Sequence, residues 1–340
     1  MEGRIRMKLR VIGAGAMGML LTAKLAISGA EAELVTRTSE QALLIREQGL
    51  RMNAYAAPGN FADESGRVAE ADIHVYPAAL SFDEAAAAAS VANPAELPDV
   101  VLLMVKQTAI TDDMLAVLSR QLKPSARLVC FQNGIGHMER LRRHIPAARL
   151  LTAVTTEGAR RLSPRHVAHT GVGITWLGAE EAIHTTENDQ ALVKKIQNML
   201  SHAGFSTSVS NDITSKVWNK LMINAVINPL TAVLQVPNGL LLELPAAKAL
   251  MRSLYEEGRM LAERLGIELA PDLWEQLENV CRLTSGNHSS MLQDVQARRP
   301  TEAGAITGGL LHKARETGVP MPVHETMEQL IRSIEQQWEL

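Results

Sequence analysis

The chain has only two cysteines in 340 residues, Cys130 and Cys281, far apart and with no CxxC partner. They cannot build a disulfide framework or a zinc site, which leaves buried free thiols in a reducing cytosol and predicts a cytoplasmic location. Neither sign of charge predominates: 34 Lys plus Arg stand against 37 Asp plus Glu, a formal net charge of −3. Without a global field to gather nucleic acid or an anionic membrane, the expected partner is a small molecule, with no nucleic acid and no membrane. Long apolar runs are missing as well, since none approaches the roughly 20 residues that span a bilayer. The nearest case, Val11 to Ala26 behind Arg4, Arg6, Lys8 and Arg10, has the outline of a signal peptide. Gly13, Gly15 and Gly18 break that run and Lys24 falls inside it. A signal core gains nothing from such glycine spacing, whereas a nucleotide-binding turn requires it. There is no HExxH and no paired carboxylate cluster, and His166, His169 and His184 lack ligand spacing on a helix, so no metal is expected. His288 reads as a loop or cap residue, and Arg298 and Arg299 as a solvated edge.

What is present is an apolar fraction of 46%, enough to bury a sizeable core, on a length that favours two domains. The first half alternates short β-like runs with helical stretches, the pattern of a parallel sheet with crossover helices. Strands are predicted at Lys8–Ile12, Glu33–Thr36, Asp99–Val105 and Arg127–Phe131, and helices at Ala16–Ser28, Ser39–Gln48 and Ile110–Leu122. The stretch from Asn53 to Pro98 is less regular and reads as an elaboration of the sheet's periphery. Leu150–Leu177 is β-like, Asn188–His202 helical and Ser206–Val209 a last strand. Beyond Asn211 nearly everything is helical in period, which predicts domains of 1–209 and 210–340.

Gly13-Ala14-Gly15-Ala16-Met17-Gly18 is GxGxxG, directly after a strand and opening a helix. In that context the first glycine permits the tight turn and the second lets the backbone approach a pyrophosphate. The third allows close helix–strand packing, and the helix N-terminus offers free amides. At the end of the second strand stands Thr36-Arg37-Thr38-Ser39, with no carboxylate until Glu40. Arg37 can offer a planar fork to a ribose 2′-phosphate and the hydroxyls can add hydrogen bonds, so NADPH is expected as cofactor. Lys106 and the run Phe131-Gln132-Asn133-Gly134 follow two buried strands, at the ends that face a ligand crevice, and are candidate cofactor contacts.

The densest signal is Lys220-Leu-Met-Ile-Asn224-Ala-Val-Ile-Asn228-Pro229. Lys220, Asn224 and Asn228 recur every four residues and share one face, drifting by about 40° per step. The residues between them are apolar, so a polar stripe on a buried helix must meet partners or a ligand; the alternative is the solvated edge of a core helix. An ammonium on such a stripe suits carbonyl reduction, where it stabilises developing negative charge and donates the proton. Glu302, after the helix-start signal Pro300-Thr301, has the alternative reading of a capping-region carboxylate.

Together these motifs resemble ketopantoate reductase (2-dehydropantoate 2-reductase) over nearly the whole chain. Besides those already named, the shared runs are Val105-Lys106, Pro237-Asn238-Gly239, Ser289-Ser290-Met-Leu-Gln-Asp294 and Thr301-Glu302. The resemblance implies a Rossmann domain followed by a mostly α-helical domain of the 6-phosphogluconate dehydrogenase C-terminal type. It implies NADPH-dependent reduction of a 2-oxo acid, ketopantoate, to pantoate on the route to pantothenate and coenzyme A. Lys220 would be the proton donor and Glu302 would help to order the site. Asn224, Asn228, Asn238 and Ser290 would hold substrate, and Arg37, Lys106 and Asn133 would contact cofactor. After Glu302, where the family often has Ile-Asp, this chain has Ala303-Gly304. Two other classes fit the same residues: a reductase of another 2-oxo acid or an imine, and a non-catalytic NADPH-binding protein. The apolar helical domain leaves room for a homodimer.

Overall fold

The computed structural model describes residues 7–55, 72–180 and 187–338. His184 and the basic residues Arg4 and Arg6 lie outside them. The chain forms two compact units, one of residues 1–132 and 139–213, the other of residues 133–138 and 214–340.

The first unit opens with β1 (Leu9–Ile12), α1 (Ala16–Ile27), β2 (Ala32–Thr36) and α2 (Ser39–Gln48). All four residues of β1 are buried, as its uninterrupted apolar character requires of a strand covered on both faces. Thr38 caps α2 by accepting from the Gln41 amide, and Gly49 at φ 73° ends it. Then follow β3 (Leu50–Asn53), β4 (Asp72–Val75), β5 (Ala78–Ser81) and α3 (Phe82–Val91). The alanine-rich α3 starts at a capping box of Ser81 and Glu84. Next come β6 (Val100–Leu103), α4 (Asp112–Arg120) and β7 (Arg127–Cys130). The helix expected from Ile110 begins later, because a 3-10 turn occupies Gln107–Ala109 and Thr111 then caps α4 through the Met114 amide. A short α5 (His137–Arg142) leads to β8 (Leu150–Thr155), β9 (Gly158–Ser163), β10 (His166–Gly171), β11 (Ile174–Gly178), α6 (Glu187–His202) and β12 (Ser206–Val209).

The main sheet runs in the order β12-β11-β8-β7-β6-β1-β2-β5. Its pairs are parallel except β11 with β8, and β1 lies between β2 and β6, pairing parallel with both. The strand order therefore reverses at β1, the place where doubly wound sheets open a crevice beyond the strand ends. A smaller sheet, β4-β3-β10-β9, goes beyond the single sheet that the sequence pattern predicts. It joins β3 to β10 across more than a hundred residues, and β9 and β10 pack against α1. The irregular stretch before Pro98 supplies the outer strand of each sheet, β5 and β4. The two cysteines are free and buried. Among the described residues no helix is long and apolar enough to cross a membrane.

The second unit is helical: α7 (Ile213–Leu234), α8 (Leu240–Glu243), α9 (Pro245–Arg264), α10 (Leu273–Leu283), α11 (Ser290–Gln296), α12 (Thr307–Thr317) and α13 (Pro322–Gln336). α7 runs through Pro229, and the Thr231 hydroxyl donates to the carbonyls of Ile227 and Asn228 in that turn. Its buried residues divide between two cores, Trp218, Leu221 and Ala225 on one side and Met222, Val226 and Ile227 on the other. Apolar neighbours on both sides hold the rest of α7 in a fixed rotation. Glu257 of α9 accepts from the amides of Val323 and His324 and shares a 2.9 Å hydrogen bond with the His324 ring, which caps α13 from a neighbouring helix.

Candidate active site

In the α/β unit, a cavity of about 580 Å³ lies at the carboxyl ends of β1, β2 and β6. Gly13, Ala14, Gly15, Arg37 and Lys106 line it together. Ala16, Met17 and Gly18 form the first turn of α1 behind that wall. The glycines are there for space. Gly13 has φ +113°, and a Cβ on Gly18 would stand 1.8 Å from the Gly13 carbonyl oxygen. By contrast, nothing lies within 4 Å of where Gly15 would carry a side chain. α1 begins with no side-chain cap and no acidic residue in its first turn, so its amides have no side-chain partner at that end. Open space, free amides and a positive helix end fit the diphosphate of a dinucleotide.

The hydroxyls beside Arg37 have other work. Thr36, buried, donates to the carbonyls of Thr38 and Leu80, and Thr38 caps α2. They shape the turn that presents Arg37, which is itself exposed. Gln41 carries no motif in the sequence, yet its amide donates to the Ala14 carbonyl at 3.3 Å and to the Pro164 carbonyl at 2.7 Å. Gln132 likewise acts on the backbone, donating to the carbonyls of Leu103 and Val105 at the exit of β6. Arg161 of β9 also lines the cavity, and nothing in local sequence pattern signals it.

Asn133 belongs to the helical unit rather than with the strand that precedes it. Its amide donates to Glu302 Oε2 at 3.1 Å. Next to it, Gly134 takes φ +80°, and a Cβ there would stand 2.2 Å from the Ala305 carbonyl oxygen, so only glycine lets this loop lie against residues 302–305. Glu302 does not start a helix. Its carbonyl accepts from the amides of Ala305 and Ile306 in a turn, and α12 begins at Thr307. The carboxylate is thus available to the site, where its charge acts on Lys220. Burial of the Lys220 ammonium lowers its pKa to about 8, and the Glu302 charge opposes that fall. Although Lys220 keeps some accessible surface, the protein packed around its ammonium removes most of its water.

None of the stripe is a solvated edge. Lys220 and Asn224 are half-buried and Asn228 is buried. Asn238 is buried as well; its amide donates to the Thr284 hydroxyl at 2.8 Å while its Oδ1 has no hydrogen-bond partner. Ser290 is exposed at the first turn of α11, which Ser289 caps through the Leu292 amide. His288, just before it, shares a hydrogen bond with Gln296 at the far end of α11. His166 pairs with Asn53, and His169 with the buried carboxylate of Glu157. Arg298 and Arg299 are exposed, Arg299 facing Asp294 at 3.3 Å.

An ammonium with its pKa lowered to about 8, one carboxylate to bias it and neutral amides along the same helix are groups that can donate a proton and hold a polar ligand. The profile described as Ketopantoate reductase PanE/ApbA matches residues 10–181, and Ketopantoate reductase PanE/ApbA C terminal matches residues 212–335. The chain belongs to the ketopantoate reductase family. A 2-dehydropantoate 2-reductase of Bacillus subtilis is 31% identical over 330 residues, covering 97% of this chain and 98% of its own length. One from Archaeoglobus fulgidus is 28% identical over 329 residues, with coverage of 96% and 98%. Among solved structures, the ternary structure of D-mandelate dehydrogenase with NADH and anilino(oxo)acetate superposes with a TM-score of 0.83. It is 24% identical and covers 98% of this chain and 100% of that one, a likeness of fold alone. Membership of the ketopantoate reductase family makes the chain an oxidoreductase built as a Rossmann unit followed by a mostly helical one.

Proposed function

We propose that the chain reduces ketopantoate to pantoate with NADPH, a step toward pantothenate and coenzyme A. The observation that carries this reading is the Lys220 ammonium, its pKa lowered to about 8 by burial, with the Glu302 carboxylate acting on it. NADPH, when bound, supplies the hydride to the substrate's carbonyl carbon. Lys220 holds the proton that the carbonyl oxygen takes, and its positive charge stabilises that oxygen as negative charge builds. Glu302 keeps the ammonium charged at neutral pH, and Asn133 fixes one of its oxygens. Asn224, Asn228, Asn238 and Ser290 hold the substrate's oxygens without adding charge, and the unpartnered Oδ1 of Asn238 awaits a donor such as a hydroxyl. In the α/β unit, the glycine turn takes the diphosphate, Arg37 the 2′-phosphate, and Lys106 a further cofactor contact. The family's reductase chemistry and the NADH-bound neighbour support a nicotinamide cofactor; the preference for NADPH rests on Arg37 and the absence of a carboxylate from Thr36 to Ser39. A cytoplasmic location and a homodimer complete the reading.

The test is the oxidation of NADPH followed with ketopantoate against a panel of other 2-oxo acids and imines. Ketopantoate is expected to give the highest kcat/KM, by at least about tenfold, the discrimination that a few hydroxyl and methyl contacts supply. A higher value with another acid would assign the chain to that acid instead. The Ala303-Gly304 pair favours keeping bulkier acids in the panel, because no atom stands within 4 Å of where Gly304 would carry a side chain.

A further inference from the structure

We propose that Arg161, on β9 of the smaller sheet, reads the cofactor's 2′-phosphate together with Arg37. This rests on the NADPH reading above and adds to it a residue from outside the strands that carry the glycine turn. Arg37, Lys106 and Arg161 line one cavity with a single carboxylate, Asp83. Three cations against one anion make a cavity suited to an anionic ligand, and a dinucleotide with a phosphate on its ribose fits that balance better than one without.

Position says which phosphate Arg161 meets. Side chains alternate along a strand, so Ala159 and Arg161 share one face of β9 and Arg160 takes the other. Ala159 packs on the core of the unit, and Val167, the register partner of Arg161 on β10, is buried in that core. Arg161 therefore extends the inward face past the edge of the core, into the cavity. Its Nε donates to the Ser163 carbonyl at 3.2 Å, which ties the guanidinium to the β9–β10 turn. The next carbonyl in that turn, of Pro164, accepts from Gln41. Gln41 also donates to Ala14, and its backbone amide is bound by the Thr38 hydroxyl. One residue thus links the Arg161 turn, the glycine turn and, through its backbone amide, the residue next to Arg37. Arg161 stands toward the Arg37 end of the cavity, and two planar forks at that end can share one phosphate.

Calorimetric titration of the full chain with 2′,5′-ADP and with 5′-AMP tests this, repeated with NADPH and NADH. Arg161→Ala and Arg161→Gln are expected to weaken 2′,5′-ADP and NADPH by at least about tenfold, the loss typical of a charge-assisted hydrogen bond. Binding of 5′-AMP and NADH should change by less than about twofold, which also reports that the variants are folded. Arg160→Ala, on the opposite face, should leave all four ligands unchanged, and Arg161→Lys should recover only part of the loss. Equal weakening of all four ligands, or no weakening, overturns the proposal. If Arg37→Ala costs the 2′-phosphate ligands selectively while Arg161→Ala does not, the NADPH reading stands and Arg161 falls. If neither variant discriminates, both fall.

Discussion

Asn133 donates from its amide to Glu302 Oε2 at 3.1 Å, across 169 positions of sequence. The bond steadies the carboxylate whose charge raises the pKa of Lys220 against the opposing effect of burial. Amide, carboxylate and ammonium belong to the same compact unit, so their relation is built in when that unit folds.

Replacing Lys220 separates chemistry from binding. Lys220→Ala is expected to lower kcat by about 10²–10⁴-fold, the usual worth of a positioned acid and charge. NADPH affinity should be retained within about threefold, because the residues proposed to cradle the cofactor belong to the other unit. Steady-state rates and cofactor titration on the same preparation check this. A parallel loss of NADPH binding would remove Lys220 from its role, and full activity would show that another group supplies the proton.

The pH profile of reduction should report the same group. With the Lys220 pKa at about 8, the proton-bearing form predominates at neutral pH and is lost above that value, so kcat/KM should fall on the alkaline side. Glu302 raises that pKa, so Glu302→Gln should move the alkaline limb to lower pH. Lys220→Arg, which cannot lose its proton in this range, should show no limb at all in whatever activity remains. A limb that ignores both substitutions belongs to another group.

Two neighbouring glycines should fail in different ways. Gly18→Ala puts a methyl 1.8 Å from the Gly13 carbonyl and should destabilise the fold by about 1–3 kcal/mol or more, visible in thermal unfolding. Gly15→Ala meets no protein atom within 4 Å and keeps an ordinary extended φ of −78°, so stability should change by less than about 0.5 kcal/mol. NADPH affinity should nevertheless drop sharply in Gly15→Ala, because the methyl occupies the approach to the diphosphate. Equal affinity in that variant would move the diphosphate elsewhere.

Glu257 carries stability in the helical unit. Burial alone would raise its pKa, but the His324 ring and the amides of Val323 and His324 outweigh that and lower it. Its stabilising contribution is therefore full above the unfolded value of about 4.3 and disappears as pH falls through the lower folded value. Glu257→Ala should destabilise by about 3 kcal/mol at neutral pH, since the partners are left buried and unpaired. Denaturant titrations at several pH values should show variant and parent drawing together under acid conditions. A constant gap would rule out the carboxylate as the cause.

Local patterns carried much of this fold and site. α2 spans Ser39–Gln48 and β12 spans Ser206–Val209, the bounds their periodicity predicts, because each is fixed by its own cap or its own alternation. The glycine turn and the Lys220 stripe are readable for the same reason: their spacing is their mechanism. The smaller sheet is not, since β3 meets β10 through pairing of distant strands that neither announces alone. Pro300-Thr301 misleads because a helix-start signature here serves a tight turn, in which the Thr301 hydroxyl accepts from the Ala303 amide. Arg161 and Gln41 are silent in the sequence because the cavity that Arg161 lines and the Pro164 carbonyl that Gln41 binds become their neighbours only after folding.

The short run 133–138 has a consequence for anyone who would cut the molecule in two. The polypeptide enters the helical body twice, first for these six residues and then for good after residue 213. A fragment beginning at residue 214 would be missing the strap that bonds Ile135 to the Ala305 carbonyl and Asn133 to Glu302. Such a piece should refold poorly by itself and recover when a peptide spanning the strap is added back. No single cut releases the helical body whole, so it cannot be swapped into another protein as a free-standing cassette.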